Sequence, residues 1–371
     1  MKPNITEKEI NEVVEVLKAG WFTYGEKNEE FEKLFADYIG VKRAVSVNSC
    51  TSALHLSLLT KGIKAGDEVL VPSFTFVATA NAVLHCGAKP IFVDADLETF
   101  NMDMDDAGKK ITKRTKAIIP VHYAGLPCDM ERLSELVEKN NLHMIEDVAQ
   151  SLGAEFNGKK TGSFGIGCFS FFSTKHITTG EGGMVTTNED KIADQILKMA
   201  GHGIDKSTWA RSYAKYPWER IQTSIGYNFR MTNFQAAMGI GQLKKINENI
   251  ENRIRIANKI TKFLKQFDFI VPQAVPNDYK HSYHMYTVRI LGKDRKTFLE
   301  KLQEAGIGVS VHYNPPVHLQ PFYINLFGRI YLPKTEEISK TIITLPLYPE
   351  MTKEELEEMF GAIERVCKEM N

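Results

Sequence analysis

No run of apolar residues in this chain approaches the roughly 20 needed to cross a bilayer as a helix. Charge of neither sign predominates, since Lys+Arg and Asp+Glu each number 46 and the formal net charge is zero. That balance argues against nucleic acid or an anionic membrane as the main partner, though a local basic patch stays open. Cysteine is scarce and scattered. Cys50, Cys86, Cys128, Cys168 and Cys367 are odd in number and form no CxxC pair. They point to a reduced, cytoplasmic protein and away from a disulfide framework or a zinc site. Internal repeats and low-complexity tracts are lacking. The opening residues are too polar for a secretory signal and predict an amphipathic helix instead. Thr6 and Glu9 are spaced as a capping box, and Ile10, Val13, Val14 and Leu17 share one face.

What is present is ample core. The chain has 371 residues, 43% of them apolar, which suits a large domain with a smaller one beside it. Short apolar runs at Ala44–Val47, Glu68–Pro72, Pro90–Val93, Ala117–Val121 and Leu142–Ile145 alternate with helical segments. This alternation predicts an α/β fold with a largely parallel sheet flanked by helices. Ligands of such sheets bind at the C-terminal ends of the strands, and Thr51, Phe76 and Asp147 all follow strands. The cluster Asp94, Asp96, Asp103, Asp105 and Asp106 lacks the calcium-loop pattern, so it is assigned to turns and a helix start. GSFGIG at 162–167 opens no helix and is discounted as a dinucleotide fingerprint.

The most informative stretch is Cys168–Met184, CFSFFSTKHITTGEGGM. Cys168–Thr174 has strand character, Lys175 follows it, and Gly180, Gly182 and Gly183 allow a tight turn and a close approach. A lysine at the end of a buried strand is partly desolvated, which favours the neutral amine. A neutral amine is a nucleophile for an aldehyde and gives a Schiff base. A surface lysine in a loop would leave the same local trace. In NSCTS (48–52), hydroxyls at a strand-to-helix turn suit a phosphate, although a plain N-cap looks alike. Asp147 is either a turn former or a buried acid with a partner. The long segment Gly201–Ile225 mixes Trp209, Tyr213, Tyr216 and Trp218 with Arg211, Lys215 and Arg220. Such a mixture serves base stacking and phosphate binding, or a subunit contact. Beyond it, Asn233–Phe267 is helical and contains the domain boundary. His284–Ile290 and Val309–Tyr313 are expected strands, and Asp294–Ala305 and Thr352–Met370 expected helices. No cysteine or carboxylate completes a metal site with the histidines at 281, 284, 312 and 318, so no metal is expected.

NSCTSAL, PSFTFVATANA, FVDADLETFNMD, PVHYAG, IEDVAQSLGA, FSFFSTKHITTGEGGMV, GYNFRMTNFQAA and VHYNPPVHLQPFY occur in that order over nearly the whole chain. Together they resemble the DegT-type family of pyridoxal-phosphate sugar aminotransferases, which has the type I fold of the aspartate aminotransferases. The resemblance implies an N-terminal helix (1–20) packing on the small domain, a large cofactor domain (21–245) and a small C-terminal α/β domain (246–371). It implies pyridoxal 5′-phosphate as cofactor, with Lys175 as the Schiff-base lysine and Asp147 against the pyridine nitrogen. Gln150 is similar to the residue near the phenolic oxygen, and Phe76 to the aromatic stacked on the ring. Thr51, Ser52 and Ser170 match phosphate-binding positions. Asn228 resembles an asparagine that reaches the phosphate from the neighbouring subunit, although some relatives place it where this chain has Arg230. Tyr313 and His318 match a loop bordering the sugar pocket. A homodimer with shared active sites is implied. So is transfer from L-glutamate to a nucleotide-linked keto sugar, for surface polysaccharide or lipid A-type glycan synthesis. The IDKSTWARSYAK segment resembles the subgroup acting at C4 of UDP-4-keto sugars. A 3-aminotransferase on a dTDP- or GDP-linked sugar, or a non-catalytic regulator keeping the fold, are the alternatives. A branch with histidine at the lysine position removes a sugar hydroxyl instead; here Lys175 aligns and His176 is only adjacent.

Overall fold

The computed structural model describes residues 4–370, so residues 1–3 of the first expected segment lie outside the described residues. The larger part of the chain is built on a seven-stranded sheet. Its strands are β1 (Arg43–Val47), β2 (Glu68–Pro72), β3 (Lys89–Val93), β4 (Thr115–Ile118), β5 (His143–Asp147), β6 (Ile166–Ser170) and β7 (Gly183–Thr187). They lie in the order β1-β7-β6-β5-β4-β2-β3. Neighbours from β6 through β3 pair in parallel, and β7 alone runs against both of its neighbours. β2 is buried at all five positions of EVLVP, as a parallel strand covered on both faces must be. The first four helices are α1 (Glu7–Ala19), α2 (Glu26–Ile39), α3 (Cys50–Thr60) and α4 (Ala78–His85). α3 is buried from Ser52 through Leu58, which suits its nearly all-round apolar sequence.

Two expected strands end early, for separate reasons. The run 117–121 leaves the ladder after Ile118, because Pro120 has no N–H to donate, and Val121 retains only a single bridge to Asp147. The run 168–174 leaves it after Ser170. Phe171 turns into a cluster with Phe31 and Phe35, at centroid distances of 5.4 and 5.5 Å. Its apolar character serves helix packing and not a longer strand.

The smaller part has its own core, running from Ile256 to Cys367. Its antiparallel sheet pairs Ile270–Pro272, Tyr286–Ile290 and Ile342–Leu345, with helices Arg295–Glu304 and Lys353–Met370 against it. Residues 309–313, expected as a strand, form only a bridge from Ser310 to Thr344. The third strand is IITL, which follows helix Pro333–Thr341 directly and so carries no turn signal of its own. The long helical region breaks at Lys244–Lys245, between helices Asn233–Leu243 and Ile246–Leu264.

α1 does not pack as expected. It lies on helix Asn233–Leu243 and not on the small-domain core. Glu9 is buried there, accepting from Gln242 Nε2 at 2.9 Å and pairing with Lys245 at 2.5 Å. Gly241 has no Cβ to obstruct the Glu9 stem. Meeting these polar partners rotates α1 so that Val16 is buried while Ile10 and Leu17, both expected inward, are exposed.

Gly183, at the start of β7, holds the sheet against α3. A Cβ there would lie 2.5 Å from the Ser49 carbonyl carbon and 2.8 Å from the Cys50 nitrogen, both backbone atoms that cannot swing aside. Gly308 has open space around the same position. Gly183→Ala should therefore lower stability by about 1–3 kcal/mol, as overpacking does. Gly308→Ala should stay within about 0.5 kcal/mol of the wild type. Urea midpoints of the two variants check this.

Candidate active site

The C-terminal ends of β1, β2, β5 and β6 open on one cavity of about 480 Å³. Asp147 ends β5, and strand alternation sends its side chain to the opposite face from Glu146. Glu146 is spent on structure. It accepts the N–H groups of Gly162, Phe164 and Gly165, each at 2.8 Å, and faces His122 Nε2 at 3.2 Å. His122 Nδ1 accepts from the Cys128 N–H at 3.0 Å, which leaves the ring proton on Nε2, directed at Glu146. Asp147 lines the cavity. Its Oδ2 accepts from the Thr79 hydroxyl at 2.8 Å and its Oδ1 from the Ala149 N–H at 3.1 Å. Burial pushes this carboxyl above the usual range; those two donors, then Lys175 and His122, pull it back.

Lys175 sits in the turn after β6, with its N–H donated to the Phe172 carbonyl at 2.9 Å. The residue is half-buried and lines the same cavity. Protein packed around its amine pushes the pKa below that of an ordinary lysine, against the opposing pull of Asp147 and Cys50. Adjacent His176 is turned away and bonds the Ser282 carbonyl at 3.0 Å; burial drives its pKa down to about 3.

α3 points its N-terminus at the cavity. Ser49 caps it, accepting the Ser52 N–H at 3.1 Å, and the first-turn N–H groups of Cys50 and Thr51 have no acceptor within the helix. Thr51 and Ser170 line the cavity beside Gly182, so hydroxyls and a positive helix end converge there. Phe76 lies exposed over the opening, its ring 6.3 Å from that of Tyr313. Gln150 links two further walls. Its Oε1 accepts from the Ala124 N–H at 2.8 Å, and its Nε2 donates to the Tyr313 hydroxyl at 3.2 Å.

Lys175, Asp147, Thr51, Phe76, Gln150, Ser170 and Tyr313 thus come together. Three expected site residues do not. The Ser52 hydroxyl is committed to Asn48 Oδ1 at 2.7 Å, so Ser52 supports the turn from below. His318 is buried, with Nδ1 at 2.5 Å from the Ser73 hydroxyl and Nε2 at 3.3 Å from Glu336. With both ring nitrogens engaged, it pins its loop and does not face the cavity as a substrate contact would. Asn228 is exposed on a segment bridged to Gly201, away from this chain's own cavity. Arg230 lines a different cavity, of about 220 Å³, with Lys206, Arg211 and Arg220. Thr75, Thr79, Ser49, Glu181 and His284 also line the main cavity and are not among the site residues expected from sequence. Thr79 lies in the first turn of α4 and Thr75 in the bend before it, so no helix-face spacing links the two in the sequence. An adjoining cavity of about 530 Å³ shares Thr174, His284, Met285 and His312 with the main one and extends it into the small domain.

Comparison with known proteins agrees with this geometry. The profile of the DegT/DnrJ/EryC1/StrS aminotransferase family matches residues 3–364. GDP-perosamine synthase of Caulobacter vibrioides is 39% identical over 370 residues, covering 98% of this chain and 96% of its own. Among solved structures, the PMP form of Spr1654 from Streptococcus pneumoniae, described as a sugar aminotransferase, superposes with a TM-score of 0.94 at 31% identity, covering 100% of this chain and 99% of its own. PseC of Helicobacter pylori, an aminotransferase involved in the biosynthesis of pseudoaminic acid, gives 0.92 at 31% identity, covering 99% and 98%. The mostly parallel mixed sheet flanked by helices is the type I fold expected from the sequence. This chain belongs to the DegT/DnrJ/EryC1/StrS aminotransferase family.

Proposed function

We propose that this pyridoxal-phosphate-dependent sugar aminotransferase moves the amino group of L-glutamate to C4 of a UDP-linked 4-keto sugar, for surface polysaccharide or lipid A-type glycan synthesis. One observation carries the enzymatic part: an amine, a buried acid and a helix N-terminus share a single cavity, at Lys175, Asp147 and Thr51. The donor set suits the cofactor. Thr51, Ser170 and the first turn of α3 would hold its phosphate, close to where Gly183 lets the backbone approach. Asp147 would face the ring nitrogen, Gln150 the phenolic oxygen, Phe76 one ring face, and Lys175 the aldehyde carbon. Bound there, pyridoxal phosphate supplies an electrophilic carbon and an electron-accepting ring.

The chain's own residues supply the rest. Thr79 and Ala149 favour the charged form of Asp147 against its burial, and that form favours a positive charge opposite it. Phe76 and Tyr313 would cover one side of a bound ring and exclude water from it. Lys175, with its amine biased to the neutral form, takes the proton from the α-carbon of glutamate and returns one on the acceptor side. Asn228 of the partner subunit would complete the phosphate site in a homodimer. Asn228 lies outside its own chain's cavity, and Tyr213, Trp218 and Ile225 are exposed on the preceding segment. The choice of UDP and C4 rests on the resemblance of residues 204–215. A panel of UDP-, dTDP- and GDP-linked keto sugars with glutamate as donor tests it, and turnover of a GDP- or dTDP-sugar alone would overturn it.

Lys175→Ala should slow turnover by about 10²–10⁴-fold or more, the usual contribution of a positioned acid–base group. Borohydride reduction of the wild type with pyridoxal phosphate should label the Lys175 peptide and no other. A second prediction comes from burial of Asp147. Its carboxyl titrates above the ordinary aspartate value near 3.9. Folding therefore favours its protonated form, and the cost of burying the charge grows as pH rises from about 4 through the raised pKa. Asp147→Asn should then raise the melting temperature of the cofactor-free protein more at pH 8 than at pH 4. A larger gain at pH 4 would contradict the sign.

A further inference from the structure

Asp147 does not hold itself in place. Thr79 Oγ1 lies 2.8 Å from Asp147 Oδ2, and Thr75 Oγ1 lies 3.0 Å from Thr79 Oγ1. Both threonines are buried and both line the cavity. An ionised carboxylate only accepts, so the single hydroxyl proton of Thr79 goes to Asp147. Thr79 Oγ1 is then an acceptor, and Thr75 donates to it. The three groups form a directed relay with each proton aimed toward the acid. A hydroxyl donating to a carboxylate is stronger than a neutral pair, and a second donor behind it polarises the first. Thr79 has another link as well: its backbone N–H donates to the Phe76 carbonyl at 3.3 Å. One residue in the first turn of α4 therefore touches both the acid that ends β5 and the segment that carries the covering aromatic.

We infer that Thr79, backed by Thr75, is a positioning residue of this site: it fixes the plane and the ionised form of Asp147, and keeps that carboxylate in register with Phe76. This rests on the proposed cofactor site, with Asp147 against the ring nitrogen. Ala149 holds the other carboxylate oxygen, so Thr79 and Ala149 clamp the group from two different elements. The remaining titratable groups facing Asp147 are Lys175, His122, Tyr313, Cys50 and Cys168. Of these only Lys175 and His122 can carry a positive charge, and neither is hydrogen-bonded to the carboxylate among the described residues. Without Thr79 the acid would keep one backbone donor and lose its orientation on the Oδ2 side.

Thr79→Val keeps the shape and removes the donor; Thr79→Ser keeps the donor. The full-length protein is titrated with pyridoxal phosphate by absorbance, and the loaded form is then titrated with pH. Thr79→Val should weaken cofactor binding by about tenfold or more, the cost of one hydrogen bond to a charged group, and displace the chromophore's pH midpoint. Thr79→Ser should restore both, and Thr75→Val should shift both in the same direction by less. In an Asp147→Asn background, Thr79→Val should have almost no further effect, because its target charge is gone. A purely structural threonine would add its cost in either background. Wild-type affinity and midpoint in Thr79→Val, or additive effects with Asp147→Asn, overturn the proposal. If Thr79→Val does not fold, Thr75→Val and Thr79→Ala are judged by the same criteria, and an unchanged midpoint in both overturns it. A wild-type protein that gives no reducible bond to pyridoxal phosphate at Lys175 would instead overturn the cofactor site itself. Wild-type binding with an unaffected Thr79→Val would leave that site intact and sink only the positioning role.

Discussion

A carboxylate sealed inside a protein is costly unless donors surround it, and the end of β5 carries two, side by side. Glu146 and Asp147 point to opposite faces of one strand and meet different company. Glu146 takes three backbone N–H groups from the loop at 162–165 and faces a histidine, so its charge is consumed in holding that loop to the sheet. Asp147 takes one hydroxyl and one backbone N–H, which leaves acceptor capacity directed at the cavity. The rest of the site is arranged around that remaining capacity. A group that needs a nearby buried negative charge finds Asp147 here, and Lys175 lines the same cavity.

The sheet supplies the other half of the arrangement. Parallel strands deliver their C-terminal ends to one side, which brings Thr51, Phe76, Asp147 and Ser170 to a common opening. The one reversed strand, β7, then returns the chain after Lys175 between β6 and β1. Its first residue, Gly183, packs directly on the cap of α3. The loop before β7 therefore starts at Lys175 and ends against the N-terminus of α3. The adjoining cavity, walled by Ile307, Leu345 and Met359 of the small-domain core, gives the opening depth toward the C-terminal part of the chain.

Much of this was legible in the sequence because local chemistry left marks. Short apolar runs between turn residues located β1, β2, β3 and β5 within a residue or two. Lys175 and Asp147 could be picked out because each lies at or beyond the end of a buried strand, within a motif of the family. Two of the misses share one cause, which is that long-range partners decided them. The amphipathic stripe of α1 was visible, yet its facing was set by Gln242 and Lys245, more than two hundred residues away. His318 sits in the same loop as Tyr313, and nothing local tells which of them turns into the cavity. Ser73, at the end of β2, and Glu336, in a distant helix, draw the histidine inward. The strand at 342–345 was hidden because a helix runs into it without a glycine or proline to mark the change.

The sequence by itself determined the class of sheet and the family, and it nominated the lysine and the acid, because these depend on periodicity and on motifs whose residues are neighbours in the chain. Only the tertiary structure decided which hydroxyl serves which charge. Thr79 and Asp147 are 68 positions apart, and nothing in either segment names the other. They meet because β5 ends beside the first turn of α4, and that adjacency is a property of the folded sheet and not of any local run of residues.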